Sequence, residues 1–401
     1  APDNFFYTRA YTLNVGEPFT HTGMLANYIV NKNWEILGGP LTGSANGGWY
    51  PFTKTAMEMV AGARTFLING TQVAATVPEC DFSTGDLTVK FPGIGSVHTY
   101  LKKSDGVNGV ANGVQVASLT WKNDEAVFAD VPNDVYDIVV VKGAQTKIVD
   151  NVIVLGDKTV EGLVSTLTVE FPGVGSVHAY AKMPDGIAGV AGGGGVEERT
   201  WKNDLAELIV LKGTYDVLVV KGAKNYVVDN VDCTGETCLV NGIVATLTVK
   251  FPGIGSVHTY ARMPDGGGAV EERTWKNDQS EMVVLKGVYD VSVVKGAKTY
   301  IVEDVDCTGN TCLVDGIVAT LTVKFPGIGS VHTYAKMPDG AAGVAGGGGV
   351  EERTWKNDQS EMVVLKGMYD VSVVKGAKTY VADDVDCSGD TDRVAFVGGQ
   401  A

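Results

Sequence analysis

The chain repeats itself, and that limits what it can fold into more than any other feature. The string Phe-Pro-Gly-(Ile/Val)-Gly-Ser-Val-His begins at Phe91, Phe171, Phe251 and Phe325, at intervals of 80, 80 and 74 residues. Trp-Lys-Asn-Asp recurs at Trp121, Trp201, Trp275 and Trp355. Tyr-Asp-(Val/Ile) recurs at Tyr136, Tyr215, Tyr289 and Tyr369, and Lys-Gly-Ala at Lys142, Lys221, Lys295 and Lys375. Four tandem copies of one unit therefore occupy most of the 401 residues. The shorter interval has a local source. Met183 to Trp201 spans 18 positions and Met263 to Trp275 only 12, the difference falling in the Gly-rich run Gly186–Gly195. A segment that tolerates this loss reads as an exposed loop, because buried backbone would resist it.

Each unit reads as β structure. Thr246–Phe251 alternates apolar and polar residues, the period of a strand with one buried face. Leu285–Val293 alternates as well, Lys295-Gly296-Ala297 turns, and Thr299–Val302 begins another strand. With Val257–Met263 and Met282–Leu285, a unit holds six or seven short strands and no amphipathic helix. Short strands at regular spacing predict a two-sheet sandwich, and units of this size predict beads on a string. The expected fold class is all-β: an N-terminal module over 1–82, then sandwiches over 83–160, 161–237, 238–311 and 312–401.

The phrase Val131-Pro132-Asn133-Asp134-Val135-Tyr136-Asp137-Ile138-Val139-Val140 resembles the hallmark of prealbumin-like sandwiches. These include the carboxypeptidase-regulatory-like and Cna-B-type repeats of secreted microbial surface proteins. Leu211–Val217 matches the same phrase. The resemblance covers about a quarter of each unit. It implies a stalk or surface domain rather than an enzyme. Cna-B-type repeats often carry a Lys–Asn isopeptide crosslink, for which no residues are assigned here.

Residues 1–82 contain none of the repeated strings. The opening segment carries Phe5, Phe6, Tyr7 and Tyr11, and four aromatics are costly to leave in water. They are a candidate assembly segment: they pack on their own module or add a strand to a neighbouring subunit. Thr53–Leu67 reads as a short helix or as two strands broken at Gly62. Asn69-Gly70-Thr71 is a glycosylation sequon, so Asn69 is a candidate acceptor in a secreted chain. The start at Ala1 fits a processed secretory precursor and equally the removal of an initiator Met.

Six cysteines sharpen the reading. Cys233/Cys238 and Cys307/Cys312 each frame a Thr-Gly-centred loop that suits a local disulfide, and disulfides imply an extracellular compartment. Zinc needs four ligands at one point, whereas these pairs sit 74 positions apart in successive units. Cys387 stands where a first cysteine would, but Asp392 replaces its partner. Cys80 precedes the first unit and has no local partner. An inter-subunit Cys80–Cys387 bond would copy the internal boundary between chains and generate a head-to-tail homopolymer. Two cysteines free or paired within the chain are the alternative.

Composition excludes other classes. The formal charge is −15 with no Lys/Arg-rich run, which argues against nucleic acid. No apolar run approaches the length of a membrane-spanning helix, so no membrane insertion is expected. His98, His178, His258 and His332 sit beside tyrosines on strands, with no second ligand in the same string. No nucleophile, zinc or phosphate-loop motif is present, His21 included. Asp185-Gly186, Asp265-Gly266 and Asp339-Gly340 read as turns. With Asn203-Asp204 and its copies they leave calcium open as a ligand, while no cofactor is expected. The expectation is a non-enzymatic extracellular subunit of a self-assembling surface filament. The alternative is an adhesin that binds glycans at the tip of a repeat stalk.

Overall fold

The computed structural model describes residues 84–396 in full and six strands among residues 21–76. It divides the chain into two compact units, Ala1–Thr84 and Gly85–Ala401. Every regular element described is a strand.

In the first unit, Ala26–Asn31 pairs antiparallel with Trp34–Gly38, and His21–Gly23 with Leu41–Gly43 in the same register, so the two pairs extend one hairpin. Ala63–Ile68 and Thr71–Thr76 form a second antiparallel pair. The described end of the Thr53–Leu67 segment is therefore strand, not helix. Phe5, Phe6, Tyr7, Tyr11, Asn69 and Cys80 lie outside the described residues.

The second unit is a series of sandwiches, best followed in the third repeat. Its strands are β1 (Val244–Phe251), β2 (Val257–Arg262), β3 (Ala269–Lys276), β4 (Asp278–Leu285), β5 (Val288–Lys295), β6 (Lys298–Asp306) and β7 (Thr311–Val314). They form a three-stranded sheet, β4-β1-β7, and a four-stranded sheet, β3-β2-β5-β6. All pairings are antiparallel except β1 with β7. Alternate residues of β1 are buried, as its period-2 pattern requires. In the first two repeats β1 and β2 run on as one long bent strand, Thr84–Lys103 and Val164–Lys182. Each repeat closes on its own core, centred on a fully buried Phe and Tyr: Phe91 and Tyr136, Phe171 and Tyr215, Phe251 and Tyr289, Phe325 and Tyr369.

The repeated strings are the parts that make this shape. Phe-Pro-Gly-Ile-Gly-Ser carries the chain from β1 in one sheet to β2 in the other, with Gly253 and Gly255 at φ of 79° and 77°. Trp-Lys-Asn-Asp makes the return crossing from β3 to β4. The two crossings clasp each other. Asp278 accepts a 2.9 Å hydrogen bond from the Gly253 N–H, and the Ser256 hydroxyl donates to Asn277 at 2.7 Å. Asp124, Asp204 and Asp358 hold Gly93, Gly173 and Gly327 in the same way. In Tyr-Asp-Val, the tyrosine hydroxyl donates to the backbone carbonyl four residues earlier: Tyr136 to Pro132, Tyr215 to Leu211, Tyr289 to Leu285, Tyr369 to Leu365. This tyrosine corner satisfies a buried hydroxyl and pins the β4–β5 turn. The adjoining aspartate, Asp290, accepts from the N–H of Asp304, the left-handed residue of the β6 bulge.

The repeats are not beads on a string. Leu211, Leu285 and Leu365 end β4 of one repeat but belong to the core of the repeat before. Ion pairs run alongside: Lys142–Glu197 at 3.1 Å, Lys221–Glu271 at 3.4 Å and Lys295–Glu351 at 3.4 Å. The Ala144 and Ala297 N–H groups donate to Gly195 and Gly349 across the same seams. Boundaries also move. The strand that carries each second cysteine pairs with β1 of its own repeat, Thr237 opposite Thr166 and Thr311 opposite Thr246. Breaks at 237/238 and 311/312 would cut through a repeat; the chain passes to the next repeat near Gly242 and Gly316 instead.

Candidate functional site

Both local disulfides lie inside a repeat. Cys233 is joined to Cys238, and Cys307 to Cys312, each with a Cα–Cα distance of 5.1 Å. They tie the end of β6 to β7 and so hold the parallel β1–β7 pairing in place. In the fourth repeat Cys387 is free and buried, and Asp392 occupies the partner position on the strand Thr391–Ala395. The cysteines therefore mark a clasp within the second and third repeats, and half of one in the fourth, not a boundary between repeats. An inter-subunit bond through Cys387 would need that clasp to open first. The fourth repeat, built without the bond, is an internal control. Reduction of the disulfides is expected to cost the second and third repeats about 2 kcal/mol each, the entropy of so short a loop. Thermal unfolding with and without reductant measures it; the fourth repeat should keep its stability in both.

The polar residues singled out as turns are engaged in holding loops. Asp185 accepts from the N–H groups of Ile187 and Gly192, and Asp339 from those of Ala341 and Gly346. Asp105 does the same for Val107 and Asn112, which hold its carboxyl below the usual range. No group of three or more His, Cys, Asp or Glu among the described residues is arranged to hold a metal ion.

What the fold does assemble is an aromatic site on the outer face of each four-stranded sheet. β2 alternates, so Val257, Thr259 and Ala261 enter the core while His258, Tyr260 and Arg262 face out. Trp275, from the end of β3, meets His258 edge-on at 4.2 Å between ring centroids. Trp121 meets His98 at 4.4 Å, Trp201 meets His178 at 4.4 Å, and Trp355 meets His332 at 4.5 Å. The tyrosine two residues on stacks beside the histidine in repeats two to four. His178 Nδ1 lies 3.3 Å from the Tyr180 hydroxyl. Glu352 lies 3.6 Å from His332, and burial together with that carboxylate raises the Tyr334 phenol above its ordinary range.

Two properties of these tryptophans stand out. Each is about 70 % exposed. Each also holds a left-handed backbone, with φ between 51° and 55°. L-residues other than Gly, Asn and Asp pay about 1–2 kcal/mol for that conformation. A large exposed aromatic in a strained conformation, repeated four times, is hard to explain by packing. The histidines sit beside tyrosines as their spacing predicts, but the tryptophan in contact with them was legible only as a repeat marker. Strand alternation alone reads an aromatic as core. The Lys-Asn-Asp that follows Trp is the signal that it ends a strand at a turn.

Residues 1–83 match the family model described as putative beta-barrel porin-2, OmpL-like. Among the described residues no helix is long and apolar enough to cross a membrane, which says nothing of a barrel. None of the curated proteins matches the chain. Among solved structures it is similar to the Bacillus anthracis TIE protein, at 10 % identity over 78 % of this chain and 73 % of that one, TM-score 0.17. It is also similar to the pilus adhesin SpaC from Lactobacillus rhamnosus GG, at 10 % identity over 76 % and 57 %, TM-score 0.19. The Corynebacterium diphtheriae major pilin SpaA aligns at 10 % identity over 78 % and 99 %, TM-score 0.16. The chain thus spans just over half of the adhesin's length. The fold assignment rests on the strand pairing itself.

Proposed function

We propose that the chain is an extracellular, non-catalytic structural protein of a microbial surface, whose repeats form a continuous stalk or fibre body. The observation that carries this is the shared core at each junction: Leu211, Leu285 and Leu365 each lock one repeat into the one before. Flexibly linked modules would not need such seams. Local disulfides support an oxidising, extracellular setting. The charge of −15 supports a surface that stays soluble and does not engage nucleic acid. The first strand joins the fourth and seventh, not the second as in the immunoglobulin constant arrangement, which supports the prealbumin-like side of the resemblance. The likeness of residues 1–83 to a porin model supports a first unit that ties the repeats to an outer membrane, against the expected absence of membrane insertion.

Self-association into a homopolymer is the finer form of this reading. Negative-stain electron microscopy of the purified chain tests it. Long uniform fibres are the expected result; isolated particles at every concentration would reject the polymer and leave the stalk.

The exposed tryptophans favour a second reading, in which the stalk binds glycans along its length. Four equivalent aromatic faces would engage a repeating polymer multivalently. Replacing Trp121, Trp201, Trp275 and Trp355 together with Gly separates fold from function. The melting temperature should stay level or rise, since strain is relieved and little burial is lost. Binding to a polysaccharide affinity gel should disappear. A fall of more than about 10 °C would mean that the tryptophans serve the fold instead.

A further inference from the structure

The third repeat differs from its neighbours at one loop, and the difference uncovers a pocket. In the first, second and fourth repeats the β2–β3 loop folds back over the outer face of the four-stranded sheet. There the N–H groups of Gly109, Gly189 and Gly343 donate to Asp150, Asp229 and Asp383 on β6. The ammonium groups of Lys102, Lys182 and Lys336 at the end of β2 donate to the loop carbonyls of Ala111, Ala191 and Ala345. The six residues missing from the third repeat are the ones that make these contacts. The groups left behind are Glu303, in the place of Asp229, and Arg262, in the place of Lys182. Both line a surface pocket of about 390 Å³.

Its lining has a consistent chemistry. Asp265, Asp290 and Asp304 add carboxylates, while Val294 and Ile301 give an apolar wall. Ser292 also lines it; its side chain is 4 % exposed, and its hydroxyl has no hydrogen-bond partner. A buried hydroxyl left unpaired costs free energy that a ligand would recover. The volume falls in the lower part of the roughly 300–1,000 Å³ range of small-molecule sites. Four carboxylates disfavour an anion, and the Arg262 guanidinium offers donors that an ammonium group, having no acceptor, could not use. A hydroxyl both donates and accepts, so a neutral polyol satisfies both kinds of group without meeting a like charge. The apolar wall suits the C–H face of a sugar ring.

We infer that the third repeat binds a neutral saccharide unit in this pocket. The inference deepens the glycan reading at a second spot. His258, Tyr260 and Arg262 lie along one face of β2, and Val294, directly opposite His258 on β5, lines the pocket, so the pocket starts beside the His258–Trp275 pair and runs towards Arg262. One glycan chain could lie across both.

The test separates the two spots. Residues 266–269 are replaced by the ten residues 340–349 of the fourth repeat, a loop that already folds on this frame. The probes are the methyl glycosides of glucose, galactose, mannose and N-acetylglucosamine, followed on the full chain by saturation-transfer NMR. Binding of at least one neutral sugar is expected, with a loss of about tenfold or more in the loop graft. Arg262→Lys, which copies the second and fourth repeats and keeps the loop short, should weaken binding less. The fourfold Trp→Gly chain should retain this monosaccharide binding even if its polysaccharide binding is lost. No binding of any neutral sugar, or binding that the graft leaves intact, would overturn the proposal, as would response to amines or uronic acids alone.

Discussion

Leu285→Ala is expected to damage two repeats at once. The side chain is fully buried in the core of the second repeat, while its carbonyl accepts the Tyr289 hydroxyl of the third. Removing it opens a cavity in one sandwich beside the turn that closes the next. Large-to-small changes at such sites cost about 2–5 kcal/mol, according to how far the cavity collapses. The more specific expectation concerns cooperativity. In a linear array, stability is the sum of repeat and nearest-neighbour terms, so a weakened seam should let the two sides unfold separately. Leu247→Ala is the control: Leu247 is fully buried too, but within the core of the third repeat. Urea unfolding followed by intrinsic fluorescence should show a split transition for Leu285→Ala. It should show a simple loss of stability in the third repeat for Leu247→Ala. Identical curves for the two variants would mean that the seams carry no coupling, and the stalk reading would lose its main support.

The strands, their alternation and the tandem sandwiches were legible in the chain because they rest on local patterns. A period of two along Thr246–Phe251 needs no knowledge of the partner strand. What escaped was non-local. Thr246 pairs with Thr311 across a whole repeat, so the strand that carries Cys312 looks from its position like the start of the next sandwich. That misplacement also made Cys387 look like half of a joint between chains. The alternation of Leu285 with Tyr289 shows that it is buried, not in whose core. The six-residue loss was readable as a loop, because length variation needs only exposure. Its consequence, the freeing of Arg262 and Glu303, depends on which face that loop covers. The tryptophans show the same limit: composition says aromatic, and only the β3–β4 corner turns the ring outward.

Cys387 should be nearly inert to alkylation in the folded chain, and its behaviour decides whether it can join subunits. Its side chain is fully buried in the fourth core, and Asp392 and Asp386 lie nearby. Burial first, and those carboxylates second, push the thiol from its ordinary 9.0 up to about 12, against a smaller opposing pull from Lys298. Thiol exchange and alkylation proceed through the thiolate. At pH 8 a rise of this size lowers the thiolate fraction about a thousandfold. Iodoacetamide should therefore label Cys387 only as fast as the clasp between Cys387 and the strand Thr391–Ala395 opens. The same shift sets a pH window. Above about pH 9 the unfolded thiol ionises while the buried one stays protonated, so the unfolded chain binds fewer protons and stability falls as pH rises towards 12. Cys387→Ala should flatten that part of the curve. Labelling after mild destabilisation, but not before, would place the thiol in a locked clasp that assembly must open. Rapid labelling of the native chain at pH 8, or a reductant-sensitive dimer formed without any unfolding step, would show that the clasp opens freely and would restore Cys387 as a ready joint between subunits.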